Sequence, residues 1–102
     1  MPSDYRIADV TLPVGPVPMI LFMGRPARLT LIIAASTAGT TFVATSEADF
    51  NSHIFARIPS STTLIMPLRD FGPLITGEIW VNNTSGSQLI NGAEVFEVPK
   101  RR

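Results

Sequence analysis

"ARLTLIIAASTAGTTFVATS", residues 27–46, decides how the rest of the chain is read. Two runs rich in apolar and β-branched residues flank a stretch of small residues that contains one glycine. Alternation in the first run sets Leu29, Leu31 and Ile33 on one face and Arg28, Thr30 and Ile32 on the other. "STAG" has turn chemistry, and "TTFVATS" has the composition of a returning strand. The spacing therefore predicts a β-hairpin over residues 28–46.

The same texture continues towards the C-terminus. "EADFNS" reads as a loop, "HIFARI" and "STTLIMPL" as strands on either side of "PSS", and "RDFGP" as a loop. "GEIWVNN" reads as a strand, "TSGSQLING" as a turn region and "AEVFEVP" as the last strand, before a basic tail, "KRR". Nowhere do apolar residues recur at helical spacing over three turns. About six or seven short strands separated by regular turn signals predict an all-β domain, a small antiparallel β-sandwich or barrel over residues 27–102. Its expected core includes Leu29, Leu31, Ile33, Phe42, Ile54, Leu64, Ile79 and Val81.

The first 26 residues differ. They hold five of the nine prolines: Pro2, Pro13, Pro16, Pro18 and Pro26. Proline lacks the N–H donor and disfavours helix in the residue before it, so "LPVGPVP" is neither a helix nor a central strand. Residues 1–26 are expected to form an extended Pro-rich N-terminal arm. Its apolar contacts would come from "RIADVTL" and "MILFMG".

With 102 residues the chain is one domain. Charged residues make up 16%, below the ~25% of an average domain, and Lys+Arg and Asp+Glu both count 8. That balance sets up no field for nucleic acid or an anionic membrane, so neither is expected as a partner. The longest apolar run, Leu29–Ala35, is too short to span a bilayer. There is no cysteine, and "MPSDYRIADV" lacks the basic and apolar regions of a signal peptide. The two overlapping sequons, Asn82-Asn83-Thr84 and Asn83-Thr84-Ser85, are therefore expected to be an exposed, unmodified turn.

Catalytic chemistry finds few residues to work with. His53 is the single histidine and cannot build a zinc site alone. Glu47 and Asp49 read as a solvated loop pair, and Glu94 and Glu97 fall on opposite faces of the last strand. No G-x-S-x-G elbow is present, and no glycine cluster leads into a helix. No catalytic residue, cofactor or metal is expected. The function is expected to lie in surfaces, as in a structural or interaction protein.

From Arg28 to Val98 the chain resembles the small β-rich virion structural proteins of tailed bacteriophages, in particular capsid decoration (cement) proteins. The stretches that carry the resemblance are "ARLTLII", "ASTAGT", "TFVAT", "STTLIMPL", "FGPLITGEIWV" and "AEVFEV". The resemblance implies a non-enzymatic protein on the capsid surface of a virion, made in the host cytoplasm, that stabilises the shell. Its partners would be the major capsid protein or other virion subunits, and it would be a homo-oligomer, trimer or dimer. The arm then supplies the partner-binding residues Ile7, Val10, Leu12, Ile20, Leu21 and Phe22. The alternative is a carbohydrate- or receptor-binding module of a phage fibre, tail or adhesin, which would use Tyr5, Trp80, Asn82 and Asn83.

Overall fold

The structure, a computed structural model, describes residues 2–15, 17–35, 37–48, 54–85 and 88–98. Eight strands form among them: β1 (Ser3–Thr11), β2 (Met19–Phe22), β3 (Arg28–Ala34), β4 (Thr41–Ala44), β5 (Ala56–Ile58), β6 (Thr63–Pro67), β7 (Ile79–Asn83) and β8 (Leu89–Glu97). A single helical turn, α1 (Leu68–Phe71), and a 3-10 turn (Gly72–Ile75) join β6 to β7. Two four-stranded sheets result, ordered β1-β8-β3-β6 and β2-β7-β4-β5, and every pair is antiparallel. The expected all-β sandwich is present.

The pairing has a simple origin. β1 pairs with β8, β2 with β7, β3 with β6 and β4 with β5. In all four ladders the partner numbers add up to between 97 and 101: Ser3 faces Glu97, Met19 faces Val81, Thr30 faces Pro67, Thr41 faces Ile58 and Phe22 faces Ile79. The chain is thus one long hairpin ribbon doubled back near its middle. Rolling that ribbon brings β8 beside β3 and β7 beside β4, which closes two sheets over one core. An eight-stranded double sheet with this order is a jelly roll.

Three expectations change. β3 and β4 are not hairpin partners, because they lie in different sheets. The "RDFGP" loop is helical throughout, split between α1 and the 3-10 turn. Part of "TSGSQLING" belongs to β8, where Gly92 sits because the core demands it. A Cβ there would stand 2.7 Å from Leu21 Cδ2 and 2.9 Å from Phe22 Cε2. His53, Asp49 and the "KRR" tail lie outside the described residues.

The N-terminal arm is replaced by two strands. β1 runs through nine residues without a proline and pairs with β8 along its whole length. Pro13 and Pro18 lie in the connection that crosses from one sheet to the other, where no ladder needs an N–H. Leu12, Leu21 and Phe22 are in the core. Four of the five consecutive apolar residues, Met19–Phe22, thus close the second sheet at its edge, and Met23 is exposed beyond it.

Four of the eight expected core residues, Leu31, Ile33, Ile79 and Val81, are fully buried. Leu29, Phe42, Ile54 and Leu64 are half-buried. For Leu29 the cause is a bulge in the β3–β8 ladder between Arg28 and Thr30. It breaks the alternation and turns Arg28 inward, opposite to the sequence reading. Arg28 is fully buried, and its Nε donates to Glu94 Oε1 at 2.8 Å. Its Nη1 donates to the carbonyls of Ile75 (2.6 Å) and Gly77 (2.9 Å), and its Nη2 to that of Met23 (2.6 Å). Arg25 Nε reaches the same Glu94 oxygen at 2.9 Å while its guanidinium stacks on Phe96, 3.8 Å from the ring centre.

Two outcomes follow. Deleting residues 1–24 removes an edge strand from each sheet, so the truncated chain is expected to lose its sheet signal in far-UV circular dichroism. A folded truncation with an intact sheet spectrum would contradict this topology. Arg28→Met leaves three carbonyls without their donor and leaves the buried Glu94 with Arg25 alone. It is expected to destabilise the fold by about 3–5 kcal/mol in urea denaturation, as when one partner of a buried pair is removed.

Candidate functional site

The six residues expected to bind a partner separate in space. Ile7 projects from the outer face of the first sheet and is 69% exposed. Val10 is half-buried on the inner side, and Leu12, Leu21 and Phe22 are core. Ile20 faces outward from the second sheet beside Trp80. The four residues of the sugar-binding alternative also diverge. Tyr5 is on the outer face of the first sheet, Trp80 and Asn82 on the outer face of the second, and Asn83 points into the sandwich.

Asn83 and Asn82 are strand residues, which corrects the reading of an exposed turn. Asn83 is 2% exposed; its Nδ2 donates to Thr41 Oγ1 across the sheet, and its Oδ1 accepts the Ser85 N–H. With its amide nitrogen committed to Thr41, this asparagine offers no attachment point for a glycan. Trp80 is half-buried, and its indole N–H is held by Glu78 Oε1 at 3.0 Å.

Glu94 and Glu97 lie in β8, Glu94 buried and Glu97 half-buried. Glu94 is the acceptor of the arginine cluster, which occupies the carboxylate with structural work. Glu47 is exposed. Among the described residues no three His, Asp or Glu side chains gather at metal-binding distance, and no helix is long and apolar enough to cross a membrane.

What the fold does assemble is an apolar surface on the outside of the β1-β8-β3-β6 sheet. Cross-strand pairing aligns Ile7, Ala93, Ile32 and Ile65 in one row, one residue from each strand. The next row is Tyr5, Val95, Thr30 and Pro67. On the other flank Asp9, Asn91, Ala34 and Thr63 make a more polar border. Tyr5, Ile7 and Ile65 are each exposed by 60% or more. The small side chains of Ala93, set between Ile7 and Ile32, and of Ala34 in the next row leave a shallow apolar groove of about 220 Å³. Antiparallel sheets commonly show water a polar face, and this one shows a row of isoleucines.

Of this surface the sequence reading named Ile7 and Tyr5, for other reasons, and passed over Ile32, Ile65, Ala93 and Val95. A signal was present. "TLIIA" and "TLIMP" are apolar at successive positions, so each places apolar side chains on both faces of its strand. No protein-family model, curated protein or solved structure matches this chain.

Proposed function

We propose that this chain is a non-enzymatic structural protein that docks on a larger protein assembly through the outer face of its β1-β8-β3-β6 sheet. The single observation that supports this reading is the unbroken row Ile7–Ala93–Ile32–Ile65, which crosses all four strands without a charge. Apolar area of that kind gains most when a protein surface covers it, at about 25 cal/mol per Å². The molecule measures 49 × 24 × 20 Å, so its broad face can supply the roughly 800 Å² per partner of a standard interface.

The resemblance to phage virion proteins makes the assembly a capsid shell, with this chain added outside it as a decoration protein. Jelly rolls serve in viral capsids and in lectins alike, so the fold alone does not choose between a shell protein and a sugar binder. The surfaces favour the first. A sugar site needs aromatic and polar groups that converge, and here Tyr5 lies on one outer face, Trp80 and Asn82 on the opposite one, and Asn83 in the interior. The row of isoleucines suits a protein partner, and many copies on one shell would add avidity to a modest single contact.

The test is co-sedimentation with shells assembled from the major capsid protein encoded in the same genome. Ile65→Lys, at an exposed site on the far strand of the row, is expected to weaken binding about tenfold or more, a loss of roughly 1.4 kcal/mol. Arg57→Glu on the other sheet is expected to leave it unchanged. Equal binding by the Ile65→Lys variant would refute the docking face.

A further inference from the structure

A sandwich of two sheets has four edges, and here they are unequal. The edge strands β2, β5 and β6 have four, three and five residues, and β6 ends in a proline. β1 has nine residues and no proline. Natural sheets keep their edges short, proline-bearing or covered, because an open edge is a template for another strand. Three edges of this protein follow that rule and the fourth does not.

The hydrogen-bond alternation along β1 is fixed by the bonds that frame it. Leu12 donates its N–H to Gln88, and Pro2 accepts from Val98. Even-numbered residues therefore bond to β8, while the N–H and C=O groups of Ser3, Tyr5, Ile7, Asp9 and Thr11 point away from the sheet. Tyr5 N–H is held by its neighbour's carboxylate, Asp4 Oδ1, at 2.8 Å, which places this donor at the open edge.

We propose that two copies of the chain join edge to edge through β1, antiparallel about a two-fold axis at Ile7, into one continuous eight-stranded sheet. Ile7 is the middle residue of the strand, so this register pairs all nine residues. Ile7 faces Ile7 of the second copy, Tyr5 faces its Asp9, and Ser3 faces its Thr11. These are the residues whose backbone groups point outward, so each of these pairs exchanges two hydrogen bonds. The side chains of the odd residues lie on the outer face. The two isoleucine rows therefore meet end to end at Ile7, forming a single apolar stripe across eight strands, about 34 Å long. On the inner side Arg6 faces Ala8 of the second copy, with Asp4 two residues away to offset its charge. The interface is isologous and closes at two copies, since it consumes the one long edge that each copy has.

This joint forms whether or not the capsid reading holds, and it is tested on the purified full chain by sedimentation equilibrium. The wild-type protein is expected to be a dimer at micromolar concentration. Ile7→Lys sets two ammonium groups directly opposite each other and is expected to weaken the dimer about tenfold or more. Asp9→Pro removes an outward N–H but no bond to β8, and it is expected to give a folded monomer by circular dichroism. Ile65→Lys, on the same face but remote from the edge, is expected to remain a dimer even where it loses binding to shells. A wild-type protein that stays monomeric would overturn the proposal, as would folded Ile7→Lys and Asp9→Pro variants that both remain dimers. Loss of the dimer in Ile65→Lys would also overturn it, because the copies would then meet face to face.

Discussion

One carboxylate oxygen holds one end of this sandwich together. Oε1 of Glu94 accepts from both Arg28 and Arg25, and Arg28 spends its remaining described donors on the carbonyls of Met23, Ile75 and Gly77. Two charges with almost no exposure cost several kcal/mol each to take out of water, so the cluster persists only because its geometry is complete. Phe22 and Phe96 add aromatic faces to the two guanidinium groups. The cluster ties β3 and β8 of the first sheet to the link after β2 and the turn before β7, both of the second.

That clamp also orients the outer surface. Leu31 and Glu94 are cross-strand partners on the inner side, so their neighbours Ile32 and Ala93 must share the outer side. A slip of one residue between β3 and β8 would exchange the faces, burying Ile32 and exposing the carboxylate's partners. The bulge after Arg28 makes the arrangement compatible with a strand, because it lets an arginine and Leu31 both point inward. The buried ion pair thus sets the register on which the isoleucine row depends. The rolled ribbon adds the other constraint: its two free ends, β1 and β8, lie side by side, and β1 is left as the long open edge.

Much of the strand content was legible in the sequence, and the topology was not. Alternation in "LTLII" and "EIWV" identifies strands and an inner face, because the period of side-chain direction is a local property. Which sheet each strand joins is decided by contacts far apart in the chain. The six-residue link between β3 and β4 therefore reads equally as a hairpin loop and as a crossing between sheets. The prolines misdirected the reading of the N-terminus. Pro13 and Pro18 mark the connection between β1 and β2, and the density of prolines over 26 residues hid two proline-free stretches long enough to pair. Gly92 misdirected it in the same way: "NG" is a strong turn signal, but here the glycine makes room for Leu21 and Phe22. The apolar face could have been found from "TLIMP", which is apolar on both sides of one strand.

The central claim is that β1 is a strand of the sandwich whose outward edge remains available to a second chain. Residue-resolved amide exchange over residues 3–12 tests it most directly. The account predicts slow, concentration-independent exchange at Arg6, Ala8 and Val10, which bond to β8, and at Leu12, which bonds to Gln88 just before it. At Ile7, Asp9 and Thr11 it predicts exchange that is fast in dilute solution and slows as concentration rises. Uniformly fast exchange across all these amides would contradict it, because residues 3–12 would then be a free arm.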